Sequence, residues 1–130
     1  MYGAETWPIK KVHEQRLEVT EMRMLRWMCG VTRKDKIRNE IIRGSVKVAG
    51  ISEKIQESRL RWYGHIMRRD EDYVGKKVGR MTVQGSRNRG RPKKRWLDCV
   101  QKDMTEKGLR TEHVENRANW RKLIKNADPK

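Results

Sequence analysis

The sequence predicts an all-α protein: a three-helix bundle over residues 1–70, a basic glycine-rich linker over 71–91, and a small helical pair over 92–130. Three observations carry this expectation. Apolar residues recur at intervals of three and four, the period of a helix face. Gly30, Gly44 and Gly108 follow such segments, where helices commonly stop. Strand-like alternation is weak in Lys77–Gln84, which reads as loop.

The first helix is expected to run from Pro8, suited to a first turn, to Gly30 as its C′ residue. Ile9, His13, Leu17, Thr20, Met24, Trp27 and Met28 form one face, with Val19, Met22 and Leu25 on the flanks. A shorter helix is expected over Asp35–Arg43: Asp35 favours its N-terminal end, Ile37 and Ile41 share a face, and Gly44 ends it. Ser52 can cap a third helix reaching Arg69, with Ile55, Trp62 and Ile66 along one side and Leu60, Tyr63 and Met67 beside them. Gly64 inside that helix costs about 1 kcal/mol relative to alanine, which suggests close packing against a neighbour. Pro92 starts a fourth helix carrying Trp96, Leu97, Val100 and Met104, and Thr111 caps a fifth carrying Val114, Ala118, Trp120, Leu123 and Ile124.

Composition narrows the partner. Lys and Arg number 33 against 17 Asp and Glu, a formal net charge of +16. That excess calls for a polyanion, with DNA and RNA ahead of an anionic membrane surface. No apolar run approaches the ~18 residues of a membrane span. Leu, Ile and Val number 24 and Phe is absent, so the core is expected to be thin and the second half of the chain looser than the first. Cys29 and Cys99 make no disulfide framework, which suits a reducing compartment.

The segment from Val74 to Leu97 lacks acidic residues and carries Lys76, Lys77, Arg80, Arg87, Arg89, Arg91, Lys93, Lys94 and Arg95. Within it, Arg89-Gly90-Arg91 looks like the core of an AT-hook, in which a glycine lies flat in a narrow minor groove between two arginines. Sequence-tolerant contact with phosphates is the plainer reading of the same residues. Pro92-Lys93-Lys94-Arg95 also fits a nuclear localisation signal. Arg59, Arg61, Arg68 and Arg69 on the third helix suit phosphates as well, and Trp62, Tyr63 and Trp96 either pack or stack on exposed bases. Trp62 lies on the apolar side and is expected to pack; Trp96 stays open between the two roles.

Catalytic and metal readings fail on spacing. His13, His65 and His113 are scattered, and neither cysteine has a partner at zinc-ligand distance in sequence. His113-Val114-Glu115 matches a deaminase fragment without the P-C-x-x-C that must accompany it. Asp70, Glu71 and Asp72 read as an ion-paired, solvated cluster rather than a Mg²⁺ site. No P-loop or nucleophile elbow occurs. No active site, cofactor, metal or small-molecule substrate is expected.

The order of several motifs is familiar. Tyr2-Gly3-Ala4-Glu5-Thr6-Trp7 is followed by Glu21-Met22-Arg23-Met24-Leu25-Arg26-Trp27-Met28-Cys29-Gly30-Val31-Thr32-Arg33 and Ile37-Arg38-Asn39-Glu40. Then come Arg59-Leu60-Arg61-Trp62-Tyr63-Gly64-His65-Ile66-Met67-Arg68, Gly90-Arg91-Pro92-Lys93-Lys94-Arg95-Trp96-Leu97-Asp98, and the terminal Arg117, Trp120-Arg121 and Ala127-Asp128-Pro129. Together they resemble the C-terminal region of reverse transcriptases from non-LTR (LINE-type) retrotransposons, over nearly the whole chain. The resemblance implies that residues 1 to about 70 correspond to the thumb and connecting helices, which grip the template–primer duplex behind the palm. It implies that the later basic tail helps to hold element RNA or target DNA.

The chain departs from that family in ways that matter. The paired aspartates of the palm are missing, since no Asp-Asp occurs, and so are the endonuclease domain and the Cys/His knuckle of some relatives. The family's catalytic residues therefore map to no position here, and a truncated copy or a gene-model fragment is expected. Its expected partners are RNA, DNA or their hybrid and the absent palm of a related enzyme, with no membrane involvement.

Overall fold

The computed structural model describes residues 3–81, 89–90 and 94–126. Among them the chain forms six α-helices and two 3-10 turns, without a strand, as an all-α fold requires. The helices are α1 (Lys11–Met28), α2 (Asn39–Val46), α3 (Ile51–Met67), α4 (Val74–Arg80), α5 (Trp96–Glu106) and α6 (Arg117–Ile124). The 3-10 turns are Arg33–Asp35 and Thr111–Val114. Packing gathers the chain into two compact units, Ile9–Glu57 with Asn126–Lys130, and Met1–Pro8 with Ser58–Lys125. The division falls inside α3, between Glu57 and Ser58.

In the Ile9–Glu57 unit, α1 starts three residues after Pro8, with extended Lys10 as its N-cap. It stops as expected. Gly30 has φ +65°, its N–H donates to Trp27 O, and the Val31 N–H donates to Arg26 O. These bonds satisfy carbonyls that the helix end would leave bare. The buried face is not the expected one. Met22 and Leu25 turn inward onto Ile42 of α2, while Met24, Trp27 and Met28 are exposed, Trp27 by 83%. The partner explains the difference: α2 is only eight residues long and covers one narrow seam.

That short helix also begins later than Asp35. The Asp35 carboxylate accepts from the Thr32 N–H at 2.6 Å and the Thr32 hydroxyl at 2.7 Å, closing the 3-10 turn, and Lys36 then takes φ +51° and breaks helical continuity. Ile42 consequently replaces Ile41 as the inward residue, and Gly44 lies within α2, which ends at Val46. Arg26 ties the loop to α1 by donating to Ile37 O and Asn39 Oδ1 at 2.8 and 2.9 Å. Ser52 is no cap, because its hydroxyl donates to Glu18 at 2.7 Å from inside α3.

The other unit contains a core in the half of the chain that composition suggests is looser. Leu60 and Tyr63 of α3, Val100 and Met104 of α5, Leu109, Val114, and Trp120 and Ile124 of α6 are buried together. The C-terminal helices thus pack on the second half of α3. Trp120 is 1% exposed and its indole N–H donates to Leu60 O at 3.1 Å, which gives the buried donor a partner. Gly64 permits this approach, since a Cβ there would overlap the Trp120 ring. Trp96 resolves toward packing: it borders the core, and its indole N–H donates to Glu5 O at 2.6 Å.

Two boundaries differ from expectation in this unit. Thr111 opens a 3-10 turn, and α6 is capped by Asn116, whose side chain accepts from the Asn119 N–H at 3.0 Å. Val74–Arg80 forms α4 where a loop was expected. Three bases on this helix find acids at its N-terminal side: Lys76 and Arg80 pair with Glu71, and Lys77 pairs with Asp72. The described start of α5 is Trp96, after Arg95, whose N–H donates to Asp98; Pro92, expected at the start of this helix, lies outside the described residues. Gly108 ends α5 at φ +62°, as expected.

Candidate nucleic-acid interface

One stripe of α3 carries Ser58, Arg61, Trp62 and His65 at steps of three, one and three, and Arg68 and Arg69 follow directly past its C-terminal end. That spacing puts the stripe on a single side of the helix. On α6, Arg117, Trp120 and Arg121 repeat the pattern over one turn. These two stripes, with Glu5, line a cleft of about 770 Å³ within one compact unit. Five arginines meet there against the single carboxylate of Glu5.

The cleft's cations are held at some electrostatic cost. Arg68 donates to Val114 O at 2.8 Å, which fixes its guanidinium. Burial and then repulsion from Arg117 both disfavour its charged form. Arg117 sits in the first turn of α6, which contains no acid and where the helix dipole already disfavours a cation. Arg69 lies 5.7 Å above the centroid of the Tyr73 ring and donates to His65 Nε2 at 3.4 Å. An anion entering between the two stripes relieves this mutual repulsion.

Aromatic groups complete the wall. Trp62 stacks on His65 with ring centroids 5.2 Å apart and planes 16° from parallel, and the His65 and Tyr73 rings meet nearly at right angles. Trp62 is half-buried; it packs against His65 rather than in the core around Trp120. Trp120 forms the floor.

The expected contact residues differ in their surroundings. Arg61, Arg68 and Arg69 converge on the cleft. Arg59 does not: it is 9% exposed, and its guanidinium is paired with buried Asp103 at 2.6 Å, so it braces α3 against α5. Lys76, Lys77 and Arg80 are engaged with Glu71 and Asp72, two of the three acids of that cluster; the Glu71 carboxyl is held below the usual range by hydrogen bonds from Lys76 and then Arg80. Arg89, Gly90, Lys94 and Arg95 are exposed, with Gly90 at φ +120°, while Arg87, Arg91 and Lys93 lie outside the described residues. Trp96 is taken up by packing.

Sequence reasoning missed Arg117 and Arg121. The available signal was their one-turn spacing beside Trp120 on an otherwise short basic helix. Among the described residues, no group of three His, Cys, Asp or Glu side chains comes together in a way that could hold a metal ion, and no helix is long and apolar enough to cross a membrane.

No protein-family model matches the sequence, and no solved structure matches it. Over 112 residues the chain is 29% identical to an uncharacterised transposon-derived protein of Caenorhabditis elegans. The match takes in 80% of this chain and 39% of that protein, so the chain spans about two fifths of its relative's length. The similarity supports a transposon origin, the coarser part of what the motif order implies.

Proposed function

We propose that this chain is a non-catalytic nucleic-acid-binding fragment, similar to the post-palm region of a non-LTR retrotransposon reverse transcriptase, that holds template RNA, target DNA or their hybrid by phosphate contacts. The convergence of Arg61, Arg68, Arg69, Arg117 and Arg121 on one cleft is the observation that carries it. Each phosphate neutralised there releases condensed counterions, so affinity is steeply salt-dependent. The exposed bases Arg89, Lys94 and Arg95 add contacts of the same kind outside the cleft. No paired aspartates of the palm type occur in this sequence, and a Mg²⁺-dependent primer-extension assay of the chain is expected to be negative. The Lys93-Lys94-Arg95 run suits a nuclear location.

Binding of the purified chain to labelled duplex DNA, single-stranded RNA and an RNA–DNA hybrid across a salt series tests the proposal. A log–log slope of several units supports it. Negligible binding of all three at low salt overturns it. A second reading, a relic whose helices once packed on a missing protein partner, draws on the exposed Met24, Trp27 and Met28 of α1. Salt-insensitive oligomers by light scattering, without nucleic-acid binding, would favour that reading.

A further inference from the structure

We infer that the arginine cleft of α3 and α6 takes an unpaired nucleotide, with its base stacked on Trp62 and its phosphates on the flanking arginines. The inference rests on the nucleic-acid reading above and specifies what form of nucleic acid this site accepts. Phosphate grip alone would need only cations. The cleft has more: a half-buried indole that the core does not use, set among five guanidinium groups. An indole placed there forgoes the full burial of Trp120 and gives part of its surface to the cleft, beside the face that His65 covers.

The Trp62 and His65 rings already lie nearly parallel at 5.2 Å, and the Tyr73 ring stands nearly perpendicular to His65. The platform is therefore braced, so a base adding to the stack loses little further entropy in ordering it. Trp120 cannot serve, because it is 1% exposed and its N–H is committed to Leu60 O.

Size decides between paired and unpaired nucleic acid. A cleft of about 770 Å³ is on the scale of small-ligand pockets, roughly 300–1,000 Å³. A duplex keeps its base faces stacked inside and offers such a cleft only its backbone. An unpaired strand presents both phosphate and base face, the combination used by single-strand-binding grooves.

Equilibrium binding of the full chain at one low salt concentration tests this with three equal-length probes: a thymidine strand, the same strand made abasic, and a blunt duplex. A uridine strand and its abasic counterpart, run alongside, separate ribose from deoxyribose. The thymidine or uridine strand is expected to bind at least about five-fold more tightly than its abasic counterpart, the lower end of what one stacked base contributes. Trp62→Leu should abolish that difference, and Trp62→Tyr should restore much of it. Equal affinity for base-bearing and abasic strands overturns the inference but leaves phosphate binding standing. So does a Trp62→Leu variant, folded by near-ultraviolet dichroism, that weakens all three probes alike. Failure of every probe to bind removes the functional proposal as well. Should Trp62→Leu not fold, the comparison of base-bearing with abasic strands on the unaltered chain still decides.

Discussion

Arg59 and Gly64 show how little a residue type says without its surroundings. Arg59 is one of many arginines in the sequence, yet it is the one paired with buried Asp103. Removing one partner of a buried pair leaves the other charged and unsolvated, at a typical cost of about 3–5 kcal/mol. Arg59→Met is therefore expected to lower the stability to denaturant by that order, whereas Arg59→Met with Asp103→Leu should recover most of it. A single variant as stable as the parent would show that the pair contributes nothing. At Gly64, alanine gains about 1 kcal/mol of helix propensity but meets the Trp120 ring, which its hydrogen bond to Leu60 holds in place. Overlap of this kind costs about 1–3 kcal/mol, so Gly64→Ala should lower Tm. The sequence could suggest a close approach at Gly64 from the misfit of glycine in a helix; it could not name Trp120, 60 residues beyond Leu60. Tyr63, buried in the same core, has its pKa raised above the ordinary value of 10.0 because burial disfavours the phenolate. The stability this group contributes is complete below that ordinary value and is lost as pH rises through the higher folded one. Alkaline titration of the chain should show tertiary structure, read by near-ultraviolet dichroism, failing in that window. Tyr63→Phe should remove this component of the loss.

Helix ends were easier to read than helix faces, and the cleft was half legible. Gly30 and Gly108 announce their positive-φ stops directly, because few other residues take that conformation cheaply. The face of α1 was misread because periodicity gives the stripe but not the width of the partner, and α2 covers only the seam at Met22 and Leu25. Likewise α3 displays its arginine stripe in the sequence, whereas its pairing with α6 is a consequence of the core around Trp120 and has no local signature. The α4 cations illustrate the opposite error, since a run without acids looked free while Glu71 and Asp72 lay just before it. This difference between elements can be measured. If Arg117 and Arg121 each meet a phosphate, Arg117→Gln with Arg121→Gln should reduce the log–log salt slope by roughly 1.4–1.8, taking about 0.7–0.9 per contact. Lys76→Gln with Lys77→Gln should change it less, because those charges already have partners. Equal losses from the two pairs would place the contacts outside the cleft.

At the scale of the whole molecule, a net charge of +16 makes ionic strength act on folding and on binding in opposite directions. Self-repulsion destabilises a compact polycation, and salt screens it as the Debye length falls from about 10 Å at 0.1 M to about 3 Å at 1 M. The exposed ion pairs of α4 weaken over the same range, but such pairs contribute only ~0–1 kcal/mol each. Repulsion should win, so Tm is expected to rise with sodium chloride while nucleic-acid affinity falls. If the cleft binds anions as proposed, it adds a second dependence that screening does not supply: an anion held between Arg68 and Arg117 would bind the folded chain alone and stabilise it by mass action. Pyrophosphate should therefore raise Tm more than sodium chloride does at equal ionic strength. Arg117→Gln should erase this surplus and, by removing a cation from the first turn of α6 and from beside Arg68, raise Tm slightly in the absence of anion. A variant that is more stable alone, yet less stabilised by pyrophosphate, would identify Arg117 as a charge kept for its ligand. If Arg117→Gln lowers Tm in dilute buffer, the arginine serves the fold, and the repulsion read from the cleft is compensated locally.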